Sequence, residues 1–124
     1  MRIDQKGPSA PAPALSGPAG TLCAQIATWP GVIARAHWHL YRPNEVDGAD
    51  FYVGSHELGH VHLDGEAHIA LTRPLRDAAL GAGLGHPAPW PGYENWLHLQ
   101  ITETTASPAM DLFRANYARL HEET

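Results

Sequence analysis

Hydrophobic and polar positions alternate with two different periods along this chain, and the two periods predict where its strands and helices lie. Four segments are predicted as strands: 32–42, 51–63, 66–72 and 96–102. Spacings of three and four predict helices that begin near Pro18, Pro74 and Ser107. This order predicts an α+β domain with a mainly antiparallel sheet of about four strands and helices packed on one face.

Two of the segments without such a period, at the N-terminus and after the first strand, are predicted to lack regular structure. Residues 1–17 are rich in proline, alanine and serine, so we expect a disordered or extended arm that precedes a single domain at 18–124. Residues 43–50, with the sequence PNEVDGAD, consist mainly of turn-forming residues and are predicted to be a loop.

Composition excludes several classes of protein. The 124 residues are 44% hydrophobic, which suits a globular domain, and the formal net charge is −5 with a single lysine, Lys6. This balance argues against nucleic acid as a partner, because affinity for phosphates rests on lysine and arginine. Cys23 is the only cysteine, so an internal disulfide is impossible. We expect a cytoplasmic protein with no membrane partner, because no apolar stretch resembles a transmembrane helix or a signal peptide. The oligomeric state is left open.

The chemistry of the chain is concentrated in one segment, 51–70, where four of its nine histidines lie between His56 and His68. Imidazole both titrates near neutral pH and binds metals. The string HELGH at 56–60 matches the zinc-protease pattern HExxH, which requires a helix to bring both imidazoles to one ion. Gly54, Gly59 and the Asp64-Gly65 turn interrupt any helix here, so we reject the protease interpretation.

An extended conformation gives these histidines a different arrangement. Alternation would direct His60 and His62 to one face of the strand, together with His56 and Leu58. A type I turn with Gly65 as the left-handed bulge residue would pair His60 with His68 and Val61 with Ala67. We prefer this register because it collects the apolar side chains on the opposite face. It places three imidazoles, from His60, His62 and His68, on one side of a hairpin.

Three uses of this trio remain open from the residues alone. The imidazoles could hold a divalent metal, act without metal as a general base beside an organic substrate, or line a solvated sheet face without chemistry. A metal at His60, His62 and His68 is possible but not favoured, and no metal ligand is assigned. Glu57 has the wrong parity for this face unless the strand bulges at Gly59, and is otherwise a surface carboxylate.

Other candidates lie outside the hairpin. His86 is in the Gly/Pro-rich stretch GHPAPWPGYEN, and the nearby Trp90, Tyr93 and Trp96 could form the wall of an aromatic pocket. Three further histidines are interpreted as ordinary residues of strand faces: His37, His39 and His98.

The string GADFYVGSHELGHVHLDGEAHIA from Gly48 to Ala70, followed by RPLRDAALGAGLGHP, a strand led by Trp96 and the helix LFRANYARL, resembles the luciferase-like domain family. This family comprises many small bacterial proteins of unassigned function and the fungal luciferases. The likeness covers about residues 20 to 121, and its sharpest motif is ELGHVH at 57–62. The positions that carry over are His60, His62, His68, His86 and Trp96.

Fungal luciferases oxygenate a hydroxylated styryl-pyrone with O2 and release CO2 and light. The resemblance therefore implies O2 as a co-substrate and an aromatic or enolic small molecule as the partner. A histidine base would remove an acidic enol proton, with Glu57, Trp90, Tyr93 and Trp96 as further substrate-binding candidates. This chain differs in having a shorter hairpin and His56 where the fungal string has a basic residue. The alternatives are a non-catalytic module that binds a small ligand or a protein, and a metal-dependent enzyme.

Overall fold

The computed structural model describes residues 2–3 and 7–123, without the side chain of the last residue. The elements are α1 (Gly17–Ile26), β1 (Val32–Trp38), β2 (Val46–Val53), β3 (His56–His62), β4 (Glu66–Ala70), α2 (Arg73–Gly81), β5 (His86–Pro87), β6 (Trp96–Gln100) and α3 (Ala106–Glu123). The strands form one antiparallel sheet in the order β1-β2-β3-β4-β6-β5. The predicted α+β class with a mainly antiparallel sheet is confirmed.

The sheet has six strands instead of about four. The segment 51–63 contains the turn of a hairpin, so that residues 51–53 are the last residues of β2 and residues His56–His62 form β3. The prediction of a loop at 43–50 is wrong from Val46 onward, because β2 begins there. Its turn-forming residues are extended because they pair with β1 on one side and β3 on the other, and such pairing outweighs local preference. The two-residue strand β5 lies in the Gly/Pro-rich stretch GHPAPWPGYEN, for which no strand was predicted.

The two faces of the sheet differ in chemistry. Helices α1 and α3 cover one face, and the buried apolar side chains meet there; from the central strands these are Ala49, Phe51, Val53, Val61, Ala67, Ile69, Leu97 and Leu99. The opposite face carries the residues of the other parity, among them His60, His68 and His98. The apolar pattern therefore fixes which face is left for chemistry.

The predicted register of the hairpin between β3 and β4 is confirmed. His60 pairs with His68 and Val61 with Ala67. Gly65 has φ +88°, and its N–H donates to the carbonyl of His62 at 2.9 Å, so it occupies the left-handed position of the turn. Glycine suits this position because a side chain is strained at positive φ.

A bulge in β3 reverses the faces predicted for the side chains in its first half. Phe51 of β2 pairs with Gly59 and Tyr52 pairs with Glu57, so that Leu58 is the extra residue. Leu58 turns into the core and is 0% exposed, which contradicts its predicted place beside His60. Glu57 moves to the histidine face and is buried, so its interpretation as a surface carboxylate is wrong.

Side chains from outside the central sheet hold this arrangement. Asn116 of α3 is fully buried and donates to the carbonyl of Leu58 at 3.0 Å and to that of Ala70 at 2.9 Å. Residues 7–16 run along the outer edge of β1, where the N–H of Ala36 donates to the carbonyl of Ala10. This arm covers an edge strand that would otherwise present unpaired backbone groups. Among the described residues, no helix has the length and apolar character needed to cross a membrane.

Candidate active site

A cavity of about 400 Å³ opens on the face of the sheet opposite to the helices. Its lining residues are His37, Trp38, Leu40, Asp50, Glu57, His60, His62, His68, Trp90, Tyr93, Trp96 and His98. Five imidazoles and four aromatic side chains thus surround one space, and no lysine or arginine is among the described residues that line it. A cavity of this size and character suits one flat organic molecule.

The structure brings most of the predicted site residues together. His60, His62 and His68 lie in one group, with ring centroids between 4.5 and 5.1 Å apart. The indole of Trp96 lies 5.7 Å from His60, and Tyr93 packs on Trp96. These contacts place the candidate aromatic wall beside the histidines.

The structure does not bring His86 into the lining. Its side chain is exposed, and its ring lies 5.5 Å from that of His98, outside the cavity. His39 also lies apart, and its Nδ1 accepts hydrogen bonds from the N–H groups of Tyr41 and Arg42 in the loop after β1.

Sequence reasoning missed His37, Asp50 and His98 as members of the site. Alternation places His37 and His98 on the polar faces of their strands, but only the strand order shows that these faces adjoin the hairpin. Asp50 is 1% exposed and lies in the segment that was predicted to be a loop. The available signal was the alternating pattern combined with an antiparallel meander from β1 to β4.

Each of four histidines donates a hydrogen bond from one ring nitrogen to its own carboxylate. The pairs are His37 Nδ1 with Asp50 at 2.7 Å, His60 Nδ1 with Glu57 at 2.7 Å, His62 Nδ1 with Asp47 at 2.8 Å, and His68 Nε2 with Glu66 at 2.7 Å. An ionised carboxylate only accepts, so each of these nitrogens carries its proton. The other nitrogen of each ring is therefore the one available to a ligand or to a neighbouring ring.

The second ring nitrogen has a neighbouring ring as its partner in His60, and in His62 it has no such partner within the described part of the chain. Nε2 of His60 lies 3.1 Å from Nδ1 of His68. Nε2 of His62 is buried and has no hydrogen-bond partner among the described residues. A buried acceptor without a partner costs about 1–3 kcal/mol, which a ligand hydroxyl would recover.

Burial and neighbouring charge shift several pKa values in the cavity. Burial lowers the pKa of His98 from 6.5 to about 4, and burial is also the main reason that the pKa of His68 is lowered. The hydrogen bond from His68 lowers the pKa of Glu66. Burial, reinforced by the charge of Asp50, raises the pKa of the Tyr52 hydroxyl, which donates to that carboxylate at 3.1 Å. At neutral pH, His68 and His98 are therefore neutral imidazoles and Glu66 is ionised.

Three groups of side chains bring ligand atoms within 4.8 Å of one another: His37 with His60 and His62, Glu66 with His68 and His98, and Asp50 with Glu57 and His60. In the first group the rings of His37 and His60 are stacked with an interplanar angle of 11°, and in the second those of His68 and His98 with 3°. The in-plane lone pairs of stacked rings do not converge on one point. An ion at either of these two groups would require one ring to rotate, so we assign no metal ligands to them.

A model of the luciferase domain matches residues 55–116 of this chain, which is half of its 124 residues. The chain belongs to the luciferase domain family. Searches of curated proteins and of solved structures found no match. The part that matches the luciferase domain runs from the β2–β3 turn into α3 and contains His60, His62, His68 and His98. Strands β1 and β2, which supply His37, Asp47 and Asp50, precede the match.

Proposed function

We propose that this luciferase-domain protein oxygenates a flat phenolic or enolic small molecule with O2. The observation that carries the proposal is the state of His62, which lines the cavity, donates from Nδ1 to Asp47 and has a buried Nε2 with no partner among the described residues. A carboxylate that fixes one ring nitrogen leaves the other as a proton acceptor, which is the arrangement of a general base.

The aromatic side chains support a planar substrate. Trp38, Trp90, Tyr93 and Trp96 line the cavity. Trp38 is held by a hydrogen bond of 3.0 Å from its indole N–H to the carbonyl of Pro8. Trp90 is 49% exposed at the rim, where it would cover a bound ligand. A flat molecule between these rings would gain offset or edge-to-face contacts and bring its hydroxyl to the histidines at the base of the cavity.

The proposed reaction uses no group besides the substrate, O2 and the chain. Nε2 of His62 removes the hydroxyl proton and leaves an enolate, whose electrons pass to O2 as a carbon–oxygen bond forms. The resulting peroxide anion takes back the proton from His62, so that one substrate and one O2 give one hydroperoxide. Because proton removal makes the substrate electron-rich, the base controls the rate of oxygenation.

A hydroxylated styryl-pyrone, as used by fungal luciferases, is the probe of choice. Oxygen uptake and light emission are recorded with the unmodified chain, with His62→Gln and with His56→Gln. His56 is an exposed histidine of the same strand and does not line the cavity, so it is the matched control. We expect His62→Gln to lower kcat by about 100-fold or more with a small effect on KM, and His56→Gln to leave both unchanged.

Ligand binding is followed separately by quenching of tryptophan fluorescence. Binding without oxygen uptake above that of the buffer would contradict the proposal and favour the non-catalytic binding module. Equal oxygen uptake by the unmodified chain and His62→Gln would remove His62 as the base.

A further inference from the structure

Four side chains form a continuous row that begins in the lining of the cavity and ends outside it: Glu57, His60 and His68 line the cavity, and Glu66 follows. The successive distances are 2.7 Å from Glu57 Oε2 to His60 Nδ1, 3.1 Å from His60 Nε2 to His68 Nδ1, and 2.7 Å from His68 Nε2 to Glu66 Oε1. All three lie within the range of hydrogen bonds.

The number of protons in this row follows from its geometry. Each of the three contacts needs one proton between its two atoms, because neither carboxylates nor unprotonated imidazole nitrogens attract one another. Two neutral histidines supply only two protons. The row therefore holds a third, which is located on one histidine or on a carboxylate.

The environment of each group decides where that proton is. Glu66 is ionised and His68 is neutral, so His68 donates from Nε2 to Glu66 and accepts at Nδ1. His60 must then donate from Nε2. Its Nδ1 faces Glu57 at 2.7 Å and Asp50 at 3.8 Å, and both carboxylates are buried. Imidazole is more basic than a carboxylate, and two adjacent negative charges favour its cation.

We propose that His60 is an imidazolium at neutral pH, and that it connects the base of the cavity to the surface through His68 and Glu66. The outer end of the row is accessible to water, since the side chain of Glu66 is 35% exposed, whereas that of Glu57 is 0% exposed. A proton leaves along this path in two hops. His60 gives its Nε2 proton to Nδ1 of His68, and His68 gives its Nε2 proton to Glu66, which exchanges it with water. All three groups regain their original states when a proton returns by the same route.

The imidazolium has a further role that rests on the proposed function. A fixed positive charge beside His62, whose ring centroid lies 5.1 Å from that of His60, stabilises the enolate and the peroxide anion as they form. His60 would thus supply charge and His62 would accept the proton. Two histidines separated by one residue therefore have opposite roles.

The charged and titratable groups that face His60 include His37 and Asp50 from β1 and β2, Glu57 and His62 from β3, and His68 from β4. The row is tested on substrate-free protein by NMR of ¹⁵N-labelled imidazole groups, with EDTA present. We expect His60 to carry protons on both ring nitrogens at neutral pH. We expect His68 to carry its proton on Nε2 alone.

The decisive variant is Glu66→Gln, which lies two positions along the row from His60. The amide can donate to Nε2 of His68, so that His68 carries its proton on Nδ1 and donates to His60. We therefore expect His60 to lose its second proton near neutral pH in Glu66→Gln. The matched control is Glu103→Gln, an exposed glutamate away from the cavity, which should leave His60 unchanged.

Several results would overturn the proposal. A neutral His60 in the unmodified chain would overturn it. This holds if the single proton of His60 lies on Nδ1, and equally if it lies on Nε2 while Glu57 is protonated. If His68 in Glu66→Gln carries its proton on Nδ1 while His60 still carries protons on both ring nitrogens, the two rings are not hydrogen-bonded and the row is not connected. If Nε2 of His60 and Nδ1 of His68 are both unprotonated in EDTA and shift together with one equivalent of Zn²⁺, the contact is a metal site instead. None of these measurements uses substrate, so their failure is distinguishable from a failure of the oxygenase proposal.

Discussion

Replacing Asn116 with alanine should weaken the fold and disturb the cavity from the far side of the sheet. Its Nδ2 donates to the carbonyl of Leu58, which the bulge in β3 removes from the regular ladder, and to the carbonyl of Ala70 at the end of β4. Its Oδ1 accepts from the guanidinium of Arg119 at 2.7 and 3.2 Å. The side chain is fully buried, so water does not readily take the place of these contacts when the side chain is removed.

The magnitude follows from these contacts. Leaving the buried carbonyl of Leu58 without its donor costs about 1–2 kcal/mol, the lost hydrogen bond to the part-buried carbonyl of Ala70 about 1 kcal/mol, and the lost contact to Arg119 about 0.5 kcal/mol. Alanine returns about 0.5 kcal/mol through its higher helix propensity. The free energy of unfolding should therefore fall by about 2–3 kcal/mol.

Urea unfolding monitored by tryptophan fluorescence measures this change. Asn95→Ala is the matched control, since Asn95 is exposed and lies outside the helices, and its effect should stay within about 0.5 kcal/mol. Because the bulge directs Glu57 toward His60, the imidazole signals of His60 should also shift in Asn116→Ala. A loss below about 1 kcal/mol with unchanged His60 signals would refute the assignment of Asn116 as the support of the bulge.

Two further predictions concern buried titratable groups. Because the pKa of His98 falls from 6.5 to about 4 on folding, the folded chain binds fewer protons than the unfolded chain between these values, and stability decreases as pH falls through that window. The full shift corresponds to about 3 kcal/mol, and screening at the open cavity reduces it to about 1–2 kcal/mol. Urea unfolding at about pH 7 and pH 4.5 measures the free energy of unfolding that is lost between these values, and the loss should be smaller by this amount in His98→Gln. An equal loss in both proteins would exclude His98 as the cause. Burial raises the pKa of the Cys23 thiol to about 12, so its reaction with a disulfide reagent at about pH 8 should be at least about a thousand-fold slower than in guanidinium chloride. Comparable rates in both conditions would contradict the buried position of this thiol.

Much of the hairpin could be predicted from sequence because two local constraints fix its register. Gly65 permits the left-handed turn, and the apolar residues of β3 and β4 can share a face in only one pairing. These two constraints are local and were sufficient to place His60, His62 and His68 together. The aromatic wall was also predictable, because Trp90, Tyr93 and Trp96 lie close together in sequence.

The features that were missed depend on contacts between segments distant in sequence. The bulge at Leu58 is supported by Asn116, 58 positions away, and no local pattern reveals that contact. Strand β2 contains residues typical of turns and is extended because β1 and β3 flank it. His37 and His98 reach the cavity through strand order, which alternation alone does not determine.

The distribution of the site over the chain has a consequence for the whole family. The matched region, 55–116, contains the central histidines, whereas Asp47 and Asp50 come from β2, which precedes it. Asp47 fixes the tautomer of His62 and so makes its Nε2 the acceptor, and Asp50 adds negative charge beside His60. In the proposed site, the imidazoles alone therefore do not determine which of them is the base and which is the cation. A luciferase-domain protein with the same histidines but without carboxylates at these two strand positions should bind a similar planar ligand and differ in its proton chemistry.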